Sequence, residues 1–375
     1  MDSRLIYLDH AATTFPEEAV ILAMAESMRE TPFNASAAYS AAGGARRIHR
    51  LCRRQIGAML SCPPEDIYFT SGGTEANNWT VRAFSGQHAV LAAIEHHSIL
   101  YSARAAGCRI TLASPDSDGF TAEESILAAL RPDTKLVCLQ AANNETGVLQ
   151  PYRTLYPLLR ARGVHLHVDA VQAFGHIPVS AAHCDSMSLS AHKLYGPRGA
   201  GALYIRSGAS IPALLHGGGQ ESGLRAGTEN THAIRGFHVA ARMADEDMTQ
   251  RDARERALLN DFVSALRAAC PHIRLLGESH PRLPGVAALM IPGLLSERAI
   301  AALDLRGILV SGGAACASSS GEPSHVYRAM GLSPAEASCV LRVSIGRHTT
   351  ADELACAVQA LLSLIPEQAQ RNTSL

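Results

Sequence analysis

Residues 164–206 read VHLHVDAVQAFGHIPVSAAHCDSMSLSAHKLYGPRGAGALYIR. Three short apolar or alternating runs, VHLHVDA (164–170), SMSLS (186–190) and GALYIR (201–206), are separated by turn-forming and polar residues, which is the pattern of buried strands. The same texture extends upstream through IYFT (67–70), AVLAAI (89–94), RITLA (109–113) and KLVCLQAA (135–142). Helical segments lie between them. Pro16 followed by EEAVILAMAESM reads as a helix start, and ARRIHRLCRRQIGAML (45–60) places Ile48, Leu51, Cys52, Ile56 and Met59 on one stripe. Thr121 with Glu124, and Thr350 with Glu353, have the spacing of capping boxes. Strands alternating with helices predict an α/β fold with a mostly parallel sheet.

After Thr228 the texture changes. Long charged helices are expected over roughly 230–269, a strand at VAALMI (286–291), a helix from Ser296 to Arg306, a short helix near 324–331, a strand at VLRVSI (340–345) and a final helix to about 364. This predicts a large domain over 16–250 and a smaller α+β domain built from 1–15 plus 251–375.

The 375 residues carry 33 Lys+Arg against 34 Asp+Glu, so no whole-protein field attracts nucleic acid or an acidic membrane. Aromatics are 5%, too few for base-stacking platforms. Arg46, Arg47, Arg50, Arg53 and Arg54 cluster on one helix, and are read as its solvated face rather than a nucleic-acid patch. No apolar run approaches a membrane span, and MDSRLIYLDHAATT reads as mature protein rather than a signal peptide. The nine cysteines include no CxxC pair, which argues against a zinc site or a disulfide framework and favours a cytoplasmic setting.

Chemistry concentrates at strand ends. Ser190, His192 and Lys193 close a strand-like run ahead of Gly196-Pro197. A lysine fixed there suits a Schiff base with pyridoxal 5'-phosphate, although most lysines after strands are plain surface residues. Asp169, 24 positions earlier, suits a hydrogen bond to a protonated pyridine nitrogen; its alternative is a turn aspartate. FTSGGTEANN (69–78) supplies glycines, Thr74 and a helix start for a phosphate, or an ordinary capped turn, and it lacks the nucleotide P-loop pattern. His96 follows a strand and can stack on a ring and move protons. His167, Asp169 and His216 offer a different reading, the facial triad of a non-haem iron oxygenase, but helices intervene where that fold needs consecutive strands.

The ordered set YLDHAATT, FTSGGTEANN, EHHSI, NNETGVLQ, HVDAVQ, SAHKLYGPRG, HGGGQESGLRAGTEN, SGGAACASSSGEPSHV and LRVSIGRHTT resembles the NifS/IscS-type cysteine desulfurases, class V members of the fold-type I pyridoxal phosphate superfamily. The resemblance runs from residue 7 to 350. It implies a covalent cofactor on Lys193, Asp169 at the pyridine nitrogen, Gln172 near the ring hydroxyl and His96 stacked on the ring. Gly73, Thr74, Ser190 and His192 would bind the phosphate, and Thr228 would reach the phosphate of the other subunit in a homodimer. Asn144 would sit beside the ring and, with Arg342, hold the substrate carboxylate. Cys316, in a loop of small residues at about 311–322, would take sulfur from L-cysteine as a persulfide and pass it to an acceptor protein, of iron–sulfur scaffold or tRNA-thiolation type. A selenocysteine lyase or another class V enzyme is the alternative on this scaffold. The chain departs from the family at Asn34-Ala35-Ser36-Ala37-Ala38-Tyr39, where many relatives have Asn-Pro-Ser-Ser-x-His, at 284–288, and in its short C-terminal tail.

Overall fold

A computed structural model describes residues 5–313 and 323–365. Cys316 lies outside the described residues. In chain order the elements are β1 (Ile6–Tyr7), α1 (Glu18–Glu30), α2 (Gly43–Leu60), β2 (Ile67–Thr70), α3 (Gly73–Arg82), β3 (His88–Ala92), α4 (His97–Ala105), β4 (Arg109–Ala113), α5 (Glu123–Ala129) and β5 (Thr134–Cys138). There follow α6 (Tyr152–Arg160), β6 (His165–Asp169), β7 (Ser186–Ser190), β8 (Gly201–Ile205) and α7 (Thr231–Ala269). The remainder comprises β9 (Arg274–Leu276), β10 (Val286–Met290), α8 (Ser296–Asp304), β11 (Ile308–Leu309), α9 (His325–Ala329), α10 (Pro334–Ala337), β12 (Val340–Ser344) and α11 (Ala351–Leu362).

Seven strands form one sheet in the order β2-β8-β7-β6-β5-β3-β4. Only β8 runs against its neighbours; the other contacts are parallel. The apolar runs explain this. Every residue of β3, β7 and β8 is buried, as required where helices cover both faces of a sheet. The loops after β2, β3, β5, β6 and β7 therefore leave the same edge, and the sheet collects their residues at one place.

The charged stretch at 230–269 forms a single 39-residue helix, not several, about 58 Å long at the usual rise. Asn230 caps its start by accepting from Ala233 N–H. The helix passes unbroken through residue 250. Its first half packs on α1 and α2, and its second half on α11. Arg251, buried mid-helix, donates to the Gly175 carbonyl and pairs with Asp247 at 3.1 Å. A three-stranded antiparallel sheet, β12-β10-β9, and the parallel pair β1–β11 complete the chain. Leu8, Phe262, Leu289, Ile308 and Val343 share a second core with α7 and α11.

Two local expectations resolve differently. Thr350 and Glu353 form a reciprocal capping box on α11. Thr121 does not cap α5, which starts at Glu123 after an uncapped Ala122. Thr121 is drawn into the core instead, where its N–H donates to Gln150 Oε1 at 2.9 Å. On α2, Arg46, Arg47, Arg50 and Arg54 are exposed, while Arg53 turns inward to Glu221 at 2.5 Å. At the departure from the family pattern, Arg46 Nη1 donates to the carbonyls of Ala35 and Ala37, at 3.1 and 2.7 Å. Ser36 N–H donates to Asn34 Oδ1 at 2.8 Å, so side chains hold this turn.

Burial keeps many histidines neutral. Desolvation pushes His10, His49, His165 and His192 down to about 4, and His167 and His176 to about 3. Three buried carboxyls, Glu95, Glu221 and Glu255, are instead raised by desolvation. Below about pH 6.5 the unfolded chain takes up histidine protons that the folded chain refuses, so stability is lost as pH falls. The raised carboxyls act in the opposite sense but are fewer. Unfolding free energy from denaturant titration is expected to be lower near pH 5 than near pH 7; an equal or higher value contradicts this accounting.

Candidate active site

The common sheet edge encloses a cavity of about 250 Å³. Asp169 ends β6 and Ser190 ends β7, and His192 and Lys193 follow in a tight 3-10 turn. His96 is the N-cap of α4, and Gly73 and Thr74 open α3. All of these line the cavity, together with Gln172, Asn144 and Arg342. Ten positions expected from the sequence thus meet in one place.

Lys193 Nζ donates to the carbonyls of Ala11 (2.5 Å) and Ala12 (2.7 Å). The N-terminal DHAATT segment therefore crosses to the cavity and holds the amine. Gln172 Nε2 donates to the same Ala11 carbonyl at 2.8 Å. Asp169 accepts from Val171 N–H at 3.0 Å and from Asn77 Nδ2 at 2.7 Å. His96 is held below its ordinary pKa, chiefly by burial.

At the other end, α3 starts after Gly72 with no side chain satisfying its first N–H groups. Such an uncapped start attracts an anion. The loop is pressed tightly against the sheet: a Cβ on Gly201 would lie 2.5 Å from Gly72 Cα, so the close approach depends on glycine there. His192 Nδ1 and Thr13 Oγ1 are 3.0 Å apart. An uncapped helix start with Ser190 and His192, a buried carboxylate, a lysine amine and an imidazole in one cavity match the phosphate, pyridine nitrogen, aldehyde carbon and ring face of pyridoxal phosphate. The residues fit that group.

Arg342 is almost wholly buried on β12, opposite Ala288 of β10. Its fork is engaged: Nη2 donates to Asp9 Oδ1 at 2.6 Å and Nη1 to the Asn144 carbonyl at 2.9 Å. Sequence reasoning missed Asp9, although it lies inside the quoted YLDHAATT. It also missed Asn77 and Ser98. Asn77 stands four residues after Gly73 on the same helix face, a helical spacing, and Ser98 follows the N-cap His96 by two, the position whose N–H an N-cap side chain accepts.

One expected residue stands apart. Thr228 is exposed and does not line the cavity; its loop is anchored by Arg225, which pairs with Glu75 at 2.8 Å. Cys316 lies outside the described residues. The iron-oxygenase reading is overturned. His167 is fully buried with Nδ1 2.9 Å from Ser186 Oγ and Nε2 3.0 Å from Asn77 Oδ1, and His216 is exposed outside the cavity. Among the described residues no cluster of three or more His, Cys, Asp or Glu could hold a metal ion.

Residues 6–356 match the family described as Aminotransferase class-V. The chain is 35% identical over 379 residues to the cysteine desulfurase IscS of Clostridium botulinum, covering 98% of this chain and 96% of that protein. An X-ray structure of a NifS-like protein from Rickettsia africae superposes with a TM-score of 0.89 at 30% identity, covering 96% of this chain and 99% of that one. A structure of SspA in complex with cysteine gives a TM-score of 0.81 at 29% identity, covering 92% and 100%. With a mostly parallel central sheet and a lysine-bearing cavity at its edge, the chain belongs to the aminotransferase class-V family, as a fold-type I cysteine desulfurase of the NifS/IscS type.

Proposed function

We propose that this pyridoxal phosphate-dependent enzyme converts L-cysteine to L-alanine and holds the released sulfur as a persulfide on Cys316. The observation that carries the reading is the convergence of Lys193, Asp169, His96 and the uncapped start of α3 in one cavity. The chemistry supplied by the bound cofactor is an electron sink that acidifies the substrate Cα–H and makes its sulfur electrophilic. Lys193 holds the cofactor and, once released, moves the proton at Cα. Asp169 would accept a hydrogen bond from the protonated ring nitrogen, and His96 would cover the ring face. Gly73, Thr74, Ser190 and His192 hold the phosphate, Gln172 the ring hydroxyl, and Asn144 with Arg342 the substrate carboxylate. In the sulfur step the substrate C–S bond breaks, the Cys316 sulfur forms an S–S bond to the departing sulfur, and the thiol proton ends on alanine.

The finer organisation is part of the same reading. Residues 16–250 form the cofactor-binding domain, and 1–15 with 251–375 the smaller one, joined through α7. Phe15, Ile21, Leu22, Met28, Phe33 and Tyr39 are exposed within one short stretch of chain, which favours a second copy covering them. In that homodimer Thr228 reaches the partner's phosphate site. The described cysteines form no disulfide, which favours a reducing, cytoplasmic setting. No helix among the described residues is long and apolar enough to cross a membrane. The sulfur acceptor is a protein of iron–sulfur scaffold or tRNA-thiolation type.

The test is radiolabelled sulfur from L-cysteine. Label is expected on the parent protein, removable by thiols and transferable to an acceptor, and absent from Cys316→Ser, whose alanine output falls to background. Undiminished alanine release by Cys316→Ser points instead to a lyase that does not use this thiol.

A further inference from the structure

Asn77, 1% exposed, sits where three polar groups of the site region meet. Its Nδ2 lies 2.7 Å from Asp169 Oδ2 and 2.8 Å from Ser98 Oγ, and its Oδ1 lies 3.0 Å from His167 Nε2. Donor and acceptor chemistry settles which way each bond points. A carboxylate only accepts, so the amide nitrogen must face Asp169 and Asn77 Oδ1 must accept from His167. His167 therefore carries its proton on Nε2, within 3.3 Å of Ser188 Oγ as well, and its Nδ1 accepts from Ser186 Oγ at 2.9 Å. Ser186 in turn accepts from His165 Nε2 at 2.8 Å.

On the other side, Ser98 Oγ accepts from Asn77 and spends its own proton on His96 Nδ1, 2.7 Å away. The backbone N–H of Ser98 donates to the same nitrogen at 3.1 Å. His96 Nδ1 is thus faced by two donors and the ring proton belongs on Nε2. The bonds run in one direction from His165 through Ser186, His167, Asn77 and Ser98 to His96, with a branch at Asn77 to Asp169.

We propose that Asn77 is a positioning residue for the reaction: it holds the Asp169 carboxylate as a pure acceptor and, through Ser98, keeps His96 in the Nε2–H form. His96 then offers a proton from Nε2 and is not a base at Nδ1, because a proton there would face the fixed Ser98 N–H. The groups that face His96 are Asp169, Lys193, His97 and His325; burial and the Lys193 ammonium favour its neutral form, while the Asp169 carboxylate pulls the other way. The inference rests on the reading of Asp169 and His96 as cofactor contacts, but its primary test does not.

The test begins with the cofactor-free parent protein. Imidazole nitrogen NMR with isotope-labelled histidine is expected to find His96 and His167 as Nε2–H tautomers near neutral pH. An Nδ1–H tautomer at His96 overturns the proposal outright. In Asn77→Ala, His167 is expected to show mixed tautomers, His96 to take up a proton at higher pH than in the parent, and cofactor affinity to fall about tenfold, the scale of one hydrogen bond to a charged group. Ser98→Ala cuts only the branch to His96. It is expected to move the His96 titration in the same direction, with cofactor affinity within about twofold. If Asn77→Ala does not fold, Ser98→Ala decides, and an unchanged His96 titration in it overturns the proposal. Correct tautomers in a parent protein that fails to bind pyridoxal phosphate would remove the functional reading and leave the positioning claim standing.

Discussion

Lys193→Ala is expected to abolish cysteine turnover while leaving the fold intact. In the parent, borohydride should fix the cofactor to Lys193 and leave a stable adduct on its tryptic peptide; in the variant no adduct forms. The loss of its proton transfer alone costs about 10²–10⁴-fold, and the covalent attachment is lost on top of that. Stability should change little. The carbonyl of Ala11 keeps its bond from Gln172 Nε2, and the amine that vacates it is only partly buried. A variant that still turns over within tenfold of the parent, or that still yields the adduct, removes Lys193 from the role given to it.

The second large effect is at Arg342. Its guanidinium is buried against Asp9, and among the described residues Nε has no hydrogen-bond partner and the charge is held by one carboxylate and one carbonyl. Arg342→Ala leaves Asp9 facing a cavity with no cation, and breaking such a pair costs about 3–5 kcal/mol. The same substitution removes the planar fork proposed for the substrate carboxylate. Catalytic efficiency with cysteine is expected to fall by about 10–100-fold, the scale of a lost charge-assisted contact. Denaturant unfolding and steady-state kinetics read the two losses separately. In a double-mutant cycle with Asp9→Ala the stability losses should be clearly less than additive, since either change alone strands the other charge. Full additivity would show that the pair is not coupled, and an unchanged efficiency would show that the carboxylate binds elsewhere.

The strand runs were legible because short apolar or alternating runs between turn signals leave few alternatives, and β2, β4 and β7 begin and end where those runs do. Asp169, Ser190 and Lys193 were legible for the same reason: the first is placed by the end of β6, the other two by the end of β7. Thr121 misled because its spacing to Glu124 satisfies the capping pattern, whereas packing assigned its backbone N–H to Gln150, 29 positions away. The helices expected over 230–269 proved to be one because its buried side chains find two different cores along a single axis, a continuity that charge content does not reveal.

Residue types and their local spacing thus determined the fold class and the strand-end positions of the lysine, the aspartate and the uncapped helix start, since each depends on backbone geometry within a few positions of itself. Tertiary structure alone decided the partners of those groups. Asn77 meets Asp169 across 92 positions, and Asp9 meets Arg342 across 333. Such contacts depend on strand register and on how the N-terminal segment crosses the sheet edge. Those are set by the packing of the whole chain, so no stretch of sequence carries them by itself.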